Sequence, residues 1–390
     1  METNVRRYAA YQAARNLLAW LPVFVLYLSQ HVPIADVLAL ESIYYATVVA
    51  LEVPSGYASD RWGRRPTLLI ANLAWVAAGI VFYLSSTFVA FAVAQALLAV
   101  GMAFNSGTDG SLLYDSLQAT GRADAFAEHE GRGQAWGRIS LGVAALLGGV
   151  IGAWNLGAVY LVSAAAAAVA TAIAWTFVEP PRLERPGSVR TQIAGVWASR
   201  RDPWLRWMFA YAVAMTVFDH IPYELAQPYL DVVLTEQGRA GWTEPAAGLL
   251  TAVAMLLSAF VAGRAGRWVQ WGVARSLLLA MAIEGLLIVA LGSLVHPVVA
   301  GLLVLRSVPG AIHGPVVQSV VHPRITSTLR ATYLSVQSLA GRLAFSASLL
   351  LASSAIGGPL TDSLLTIARA FAIAVMVTWV GLALTSRRLS

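Results

Sequence analysis

Residues 56–65 read Gly-Tyr-Ala-Ser-Asp-Arg-Trp-Gly-Arg-Arg, and this basic segment joins two long apolar runs. The runs cover roughly residues 34–58 and 67–86. A helix needs roughly 20 mostly apolar residues to cross a bilayer, and both runs are long enough. Because positively charged side chains are retained on one side of a membrane, the segment is predicted to connect two membrane-spanning helices on that side.

The same alternation continues through all 390 residues, of which 58% are hydrophobic and 12% charged, with no cysteine. Soluble domains carry about 25% charged residues. The composition therefore excludes an ordinary soluble enzyme, a disordered protein and a secreted disulfide scaffold. Twelve membrane spans are predicted, and in chain order they cover roughly residues 8–30, 34–58, 67–86, 88–117, 133–154, 157–178, 204–231, 245–269, 273–295, 297–321, 331–356 and 363–385.

The arginines support this count. The chain has no lysine, and 21 of its 26 basic residues lie at the two termini or at alternate connections, whereas the opposite connections hold only Arg239. This asymmetry predicts that both termini are cytoplasmic and that the number of spans is even. We expect a multi-pass protein of the cell inner (plasma) membrane. The basic balance is a topology signal and does not indicate a nucleic-acid partner.

The segment 56–65 resembles the G-x-x-x-D-R-x-G-R-R signature of the major facilitator superfamily. Every fixed position is present: Gly56, Asp60, Arg61, Gly63, Arg64 and Arg65. A shortened copy, residues 263–267, lies between spans 8 and 9 and keeps R-x-G-R. Residues 106–117 and 330–335 are similar to the drug and metabolite exporters of this superfamily.

The resemblance implies an all-α integral membrane fold, with 12 transmembrane helices in two six-helix bundles related by pseudo-two-fold symmetry. The corresponding domains are residues 1–178 and 204–390, joined by a cytoplasmic linker, residues 179–203. It also implies a monomer without cofactor or catalytic residues, which moves a small-molecule substrate, with protons, across membrane lipids. Since the chain has no lysine, a Walker ATP site is excluded.

The resemblance further implies a role for the segment as a cytoplasmic gate. Asp60 would accept hydrogen bonds from the start of span 11, near Arg330, where the helix dipole is positive. Arg64 would pair with Asp115 at the end of span 4. These contacts would form only when the two halves close on the cytoplasmic side. The alternative is a basic loop that fixes topology and has no gating role.

Charged side chains inside spans cost at least about 2.5–3.5 kcal/mol on insertion scales, so they are candidates for function. The resemblance places spans 1, 4, 7 and 10 around a central cavity, and polar residues gather in those spans. Arg342 of span 11 is included because it could reach the cavity edge. The candidate proton or substrate pathway residues are Arg15, Asn105, Asp109, Asp219, His220, Glu224, Gln227, Arg306 and Arg342.

His220 and Glu224 are four residues apart and share a helix face. Asp219 or Glu224 is predicted to exchange a proton, with Arg306 as a neutralising counter-charge, since buried charges are usually paired. The alternatives are that Glu224 and His220 line a wet outer mouth, and that Asp109 is capped by neighbouring serine hydroxyls.

Each of the four cavity spans also contains a helix breaker and is predicted to be interrupted. The breakers are Pro22, the pair Gly107 and Gly110, the pair Pro222 and Pro228, and the pair Pro309 and Pro315. Outside these spans, Glu284 is interpreted as a structural residue that pairs with Arg369. Residues 128–130, Glu-His-Glu, are interpreted as a solvated loop and not as a metal site.

These features predict a secondary transporter that works by alternating access as a proton-coupled antiporter, and that exports small amphipathic compounds. Uptake or exchange of a polar or anionic metabolite is the alternative within transport. A lipid scramblase or a membrane enzyme is the alternative from a different class. An enzyme is disfavoured because the buried charges lie at mid-depth and do not cluster at one membrane face.

Overall fold

The computed structural model describes residues 1–181, 197, 201–262, 264–325, 327–354 and 359–387, and these ranges contain helices and no strands. The helices of the first half are α1 (Glu2–Arg15), α2 (Phe24–Ser29), α3 (Ile34–Trp62), α4 (Arg64–Leu84), α5 (Phe88–Asn105), α6 (Thr108–Gln118), α7 (Phe126–Gly152) and α8 (Ala158–Trp175). The helices of the second half are α9 (Pro203–Glu236), α10 (Thr243–Ala262), α11 (Ala265–Trp271), α12 (Val273–Ser293), α13 (Pro297–Leu302), α14 (Val308–Arg324), α15 (Ser327–Ser354) and α16 (Leu360–Ser386).

Each predicted span corresponds to one helix or to a broken pair of helices, which confirms the all-helical fold class. Within the described ranges, ten stretches are long and apolar enough to cross a membrane. Spans 1 and 7 are not among them. Span 1 is divided into two short helices, and α9 of span 7 carries Asp219, His220 and Glu224 in its middle. Spans 1 and 7, which do not meet this criterion of length and apolar character, are thus two of the four spans predicted to surround the cavity.

Span 1 is interrupted as predicted: α1 ends at Arg15 and α2 begins at Phe24. Pro22 lacks a backbone N–H, and its ring disfavours a helical conformation at the residue before it. The backbone N–H of Ala19, in the unwound stretch, donates to Ser163 Oγ of α8 at 2.9 Å. The break is therefore compensated by a side chain inside the same half.

Spans 4 and 10 are also interrupted. Gly107 has φ +71°, a left-handed conformation that glycine adopts without strain, and it separates α5 from α6. In span 10 a 3₁₀ turn, Leu303–Ser307, separates α13 from α14. The prediction was wrong for span 7, because α9 runs from Pro203 to Glu236 with Pro222 and Pro228 inside the helix.

The described residues divide into two compact units, Met1–Arg185 with Glu244–Ala252, and Pro186–Thr243 with Val253–Ser390. In the first unit, α4 packs against both α5 and α8, and α1 packs against α7 and α8. In the second unit, α12 packs against α16 and α14, and α9 packs against α15. The predicted linker, residues 179–203, lies largely outside the described residues, so the predicted domain limits stay a prediction.

The contact between α4 and α8 depends on a glycine, which yields a first prediction. A Cβ at Gly79 would lie 2.8 Å from both the Tyr160 carbonyl oxygen and the Ala164 Cβ. Overpacking of this kind costs about 1–3 kcal/mol, so Gly79→Ala is expected to lower the melting temperature of the purified protein. Gly142→Ala is the matched control, because a Cβ there meets nothing within 4 Å. Equal melting temperatures for the two variants would contradict this packing argument.

Candidate functional site

The segment 56–65 covers the end of α3, a turn at Gly63 and the start of α4, and this turn is held by an acid from outside the signature. Gly63 has φ +115°, which favours glycine, and the next two residues begin α4. The backbone N–H groups of Arg64 and Arg65 donate to the two oxygens of Glu179, at 2.7 and 2.8 Å. A carboxylate at this place satisfies the free N–H groups of a helix start and complements its dipole.

The contact implied between Arg64 and Asp115 is present, with Arg64 Nε 3.3 Å from Asp115 Oδ2. Arg64 Nη1 also donates to Ser59 Oγ at 2.8 Å. Arg64 therefore joins the end of α3, the start of α4 and the end of α6 in the first unit. The side chain of Asp60 and that of Arg330 lie outside the described residues, so the implied contact of Asp60 stays a prediction.

The other two arginines of the segment, Arg61 and Arg65, each donate a hydrogen bond to a group of the first unit. Arg61 is exposed, and its Nη1 donates to Tyr57 Oη at 2.6 Å. Arg65 Nη2 donates to the Trp175 carbonyl oxygen at 2.8 Å. Gly56 is exposed, and a Cβ there would meet nothing within 4 Å. Neither arginine is placed to bind a substrate in the interior of the first unit.

The cap on α4 yields a second prediction. Glu179→Ala removes the acceptor of two helix-start N–H groups, and loss of an N-cap costs about 0.5–2 kcal/mol. We expect a lower melting temperature in detergent. Glu2→Ala is the control, because Glu2 makes an exposed ion pair with Arg122 at 3.4 Å, and such pairs contribute little. A Glu179→Ala protein as stable as the control would show that the cap contributes nothing.

Asp109 lies in a buried polar group that we call the N-half cluster, and its members are Tyr8, Tyr11, Gln12, Arg15, Asn105 and Asp109. Asp109 Oδ2 accepts from Gln12 Nε2 at 2.8 Å and lies 3.4 Å from Arg15 Nη1. Asp109 Oδ1 accepts from the backbone N–H of Gly110 at 2.9 Å. The expected alternative, capping by serine hydroxyls, is wrong, because Ser111 Oγ donates to the Gly107 carbonyl oxygen instead.

The N-half cluster extends from Asp109 in two directions. Tyr11 Oη donates to Asn105 Oδ1 at 2.8 Å. Gln12 Nε2 also donates to Tyr8 Oη at 2.7 Å, and Tyr8 Oη donates to Glu130 Oε2 at 2.6 Å. Residues 128–130 all lie in α7, so their interpretation as a loop was wrong. The carboxyl groups of Glu130 and Asp109 are thus linked by a continuous chain of hydrogen bonds.

Half of this cluster, Tyr8, Tyr11 and Gln12, was missed because these side chains carry no charge. A signal was present in α1, where Asn4, Tyr8, Gln12 and Asn16 recur every four residues and form one helix face. Asn4, Tyr8 and Gln12 are each 1% exposed. A polar face that is buried points inward, towards other polar groups, and Arg15 continues it one turn from Gln12.

A second group, which we call the C-half cluster, lies in the second unit and contains Tyr211, Asp219, Glu284 and His313. Tyr211 and Asp219 belong to α9, Glu284 to α12 and His313 to α14. The rings of Tyr211 and His313 are 5.9 Å apart. A Cβ at Gly310 would lie 3.6 Å from Asp219 Oδ1. Tyr211 is fully buried and donates to the Leu277 carbonyl oxygen at 3.0 Å.

The C-half cluster corrects the interpretation of Glu284. Its side chain is fully buried, and neither carboxyl oxygen has a hydrogen-bond partner among the described residues. Arg369, its expected partner, donates Nε to the Gly292 carbonyl oxygen at 2.7 Å. Asp219 Oδ1 and His313 Nδ1 are also buried without such a partner in the described part of the chain.

His220 and Arg342 lie together where α9 packs against α15. His220 Nδ1 donates to the Thr216 carbonyl oxygen at 2.7 Å, because a carbonyl oxygen can only accept. Its ring lies 4.6 Å from that of Phe345, and Arg342 is close enough for an electrostatic interaction. These contacts place His220 against α15 and not at a wet outer mouth.

Glu224, Gln227 and Arg306 are all buried. Glu224 and Gln227 belong to α9, and Arg306 belongs to the 3₁₀ turn of span 10, where it lies close enough to Tyr223 for an electrostatic interaction. Burial of Glu224 contradicts the alternative of a solvated rim residue. Across the described ranges, no group of three His, Asp or Glu side chains is arranged to hold a metal ion.

The chain also matches a known protein family. The model of the Major Facilitator Superfamily matches residues 9–349. No curated protein matches the chain significantly in sequence.

Several solved structures have the same fold. A mutant of the nucleoside transporter NupG is similar with a TM-score of 0.84 and 13% identity, over 98% of this chain and 99% of that chain. A mutant of the peptide transporter POT is similar with a TM-score of 0.69 and 15% identity, over 99% and 94%. The human organic anion transporter MFSD10 has a TM-score of 0.63 and 16% identity, over 97% and 99%. At these identities the likeness shows the fold alone.

Proposed function

Because the chain belongs to the Major Facilitator Superfamily, we propose that this multi-pass membrane transporter is proton-coupled and carries small polar organic molecules by alternating access. Its family makes it a transporter and not an enzyme. The proposal concerns the coupling ion, the substrate class and the residues that serve them.

One observation carries the proton coupling: Asp219 lies in the middle of the long helix α9, and its Oδ1 is buried without a hydrogen-bond partner among the described residues. An ionised carboxylate without donors is costly in such a place. A bound proton removes that cost, and loss of the proton restores it. A carboxyl group in this setting is suited to take up and release a proton during a transport cycle.

The N-half cluster supports a polar substrate. It offers Arg15 as a donor, Asn105 as an amide, and Asp109 as an acceptor inside the first unit. Side chains of this kind recognise a substrate with hydroxyl, amide or charged groups, and Arg15 Nε is buried without a hydrogen-bond partner among the described residues, so it favours a substrate group that completes its hydrogen bonds. Two of the similar structures are named as a nucleoside transporter and a peptide transporter. Nucleosides and peptides are both polar.

Export of small amphipathic compounds by proton antiport is the second candidate, and the resemblance of residues 106–117 and 330–335 to exporters favours it. Of the aromatic side chains that could bind such compounds, Tyr211 is fully buried in its own unit and packs on Trp207. Tyr114 is 42% exposed, and Trp20 lies beside Phe24 and Tyr160. The polar cluster is the more extensive feature, so we favour the polar substrate.

The proposal includes topology and gating. Both termini would be cytoplasmic in a plasma membrane, as the arginine distribution predicts. The turn held by Glu179 and Arg64 would then be cytoplasmic, where Asp60 is proposed to help close the pathway. Pathway roles for Arg15, Asn105, Asp109, Asp219, His220, Glu224, Gln227, Arg306 and Arg342 belong to the same proposal.

The test uses protein reconstituted in vesicles that contain the pH-sensitive dye pyranine. Uridine, dialanine and ethidium are added outside in turn, and tracer uptake of each compound is measured in parallel. Proton symport acidifies the lumen as the compound enters, whereas antiport makes it alkaline. We expect a proton movement coupled to uridine or dialanine.

Two results would decide against the proposal. Tracer uptake without any change of luminal pH would exclude proton coupling. An alkaline response to ethidium alone would favour export of amphipathic compounds over the polar substrate. Empty vesicles measured in parallel account for leakage of each compound.

A further inference from the structure

Glu284 is a buried acid for which the proposed pathway has no use. It belongs to α12 in span 9, outside the four spans predicted to surround the cavity. Its side chain is 0% exposed, and both carboxyl oxygens lack a hydrogen-bond partner among the described residues. A structural carboxylate at such a place is normally paired with a cation or with donors. The expected cation, Arg369, is engaged with the Gly292 carbonyl oxygen.

In the described part of the chain, no arginine acts electrostatically on Glu284. From α9, Asp219 and Tyr211 are close enough for electrostatic interaction with it. From α14, His313 lies beside Tyr211, and its buried Nδ1 has no partner in the described part of the chain. The electrostatic partner on the pathway side is therefore another acid.

The cations on the remaining neighbours are placed elsewhere. Helices α11, α13 and α16 and the 3₁₀ turn also pack against α12. Arg306 of the turn lies beside Tyr223, Arg369 of α16 binds a carbonyl oxygen, and Arg267 of α11 is exposed. Two ionised carboxylates near each other in a buried setting repel, so at least one of them must carry a proton.

We propose that Glu284 and Asp219 form a buried acid pair that binds a transported proton, with Glu284 as a second proton-binding residue of the C-half cluster. The open atoms of the pair itself, Asp219 Oδ1 and the two Glu284 oxygens, are carboxyl oxygens, so they call for a cation. A proton binds to a single carboxyl oxygen and needs no further ligand, whereas the described ranges contain no group of three acids or histidines placed for a metal ion. This inference rests on the proposed proton coupling through Asp219.

Infrared spectroscopy of the purified full-length protein at neutral pH tests the pair without any substrate. A protonated carboxyl group gives a carbonyl band that an ionised one does not give. We expect this band in wild type. In Glu284→Gln we expect the area of the band to fall by the amount that one carboxyl group contributes. Glu236→Gln is the control, because Glu236 is exposed at the end of α9 and its removal leaves the buried carboxyl groups in place. Transfer to D₂O is expected to shift the Glu284 band to lower frequency, because a transported proton must exchange with water.

Two outcomes would overturn the pair. A band area that is unchanged in Glu284→Gln and also in the double variant Glu284→Gln with Asp219→Asn would show that the pair carries no proton. A Glu284 band that stays unshifted in D₂O would show a sealed proton that takes no part in transport. Failure of the proposed function is recognised separately, since the vesicle assay would then show transport without proton movement while the infrared bands stay as expected.

Discussion

Asp109→Asn is expected to lose proton-coupled transport and to melt at a lower temperature than wild type. Asparagine has nearly the same shape as aspartate but no charge. Arg15, whose Nη1 lies 3.4 Å from Asp109 Oδ2, would keep its charge in a largely buried place without its partner. Leaving a charged group without its partner costs about 1–3 kcal/mol or more. We expect this loss in the free energy of unfolding, and it is measured as thermal melting in detergent.

A second substitution separates stability from transport. In the double variant Arg15→Gln with Asp109→Asn, both charges are removed, and most of the lost stability is expected to return because the two side chains are in contact. Proton movement in the pyranine assay is not expected to return, since the carboxyl group is still absent. Recovery of coupled transport in the double variant would show that Asp109 only neutralises Arg15. A double variant no more stable than Asp109→Asn would refute the ion-pair argument.

Asp219→Asn is expected to lose proton-coupled transport as completely as Asp109→Asn does, but without loss of stability. Asp219 Oδ1 has no hydrogen-bond partner among the described residues, so the substitution breaks no interaction at that atom. It removes an ionisable group whose Oδ1 is buried, and the charged form of such a group is costly in this setting. The melting temperature is therefore expected to stay the same or to rise, while proton movement falls to the level of empty vesicles.

Asp231→Asn is the matched control for this variant. Asp231 lies on the same helix, near its end, and its Oδ1 accepts from Thr243 Oγ1 at 3.1 Å, a bond that asparagine can keep. We expect coupled transport in this control. Retained coupling in Asp219→Asn would remove Asp219 from the proton pathway. A large drop in its melting temperature would show instead that Asp219 is a structural residue.

The two acids looked alike in the sequence, as single charges inside long apolar runs. Their difference came from side chains distant in the chain. Asp109 is surrounded by Gln12 and Arg15, which lie almost a hundred residues earlier. Asp219 faces Gly310 and Glu284, on helices that come later. Apolar periodicity reveals that a charge is buried, but it does not reveal which polar groups reach it.

Uncharged polar residues were the main omission. Tyr8, Tyr11 and Gln12 form much of the N-half cluster, yet none has a charge that makes it conspicuous in an apolar run. Glu179 was placed in a linker, and its role became evident only when its carboxyl group was found at the start of α4. Such roles depend on chain segments that meet in three dimensions.

The sequence by itself determined that the chain is a helical membrane protein, how many spans it has, and which family it resembles. It could do so because the cost of burying charge and unpaired backbone in lipid acts on every residue locally. Tertiary structure alone decided which breakers interrupt a helix, which acid is satisfied, and that Arg369 binds the Gly292 carbonyl oxygen and not Glu284. These outcomes depend on the packing of helices, where a few ångströms separate a paired carboxyl group from an unpaired one.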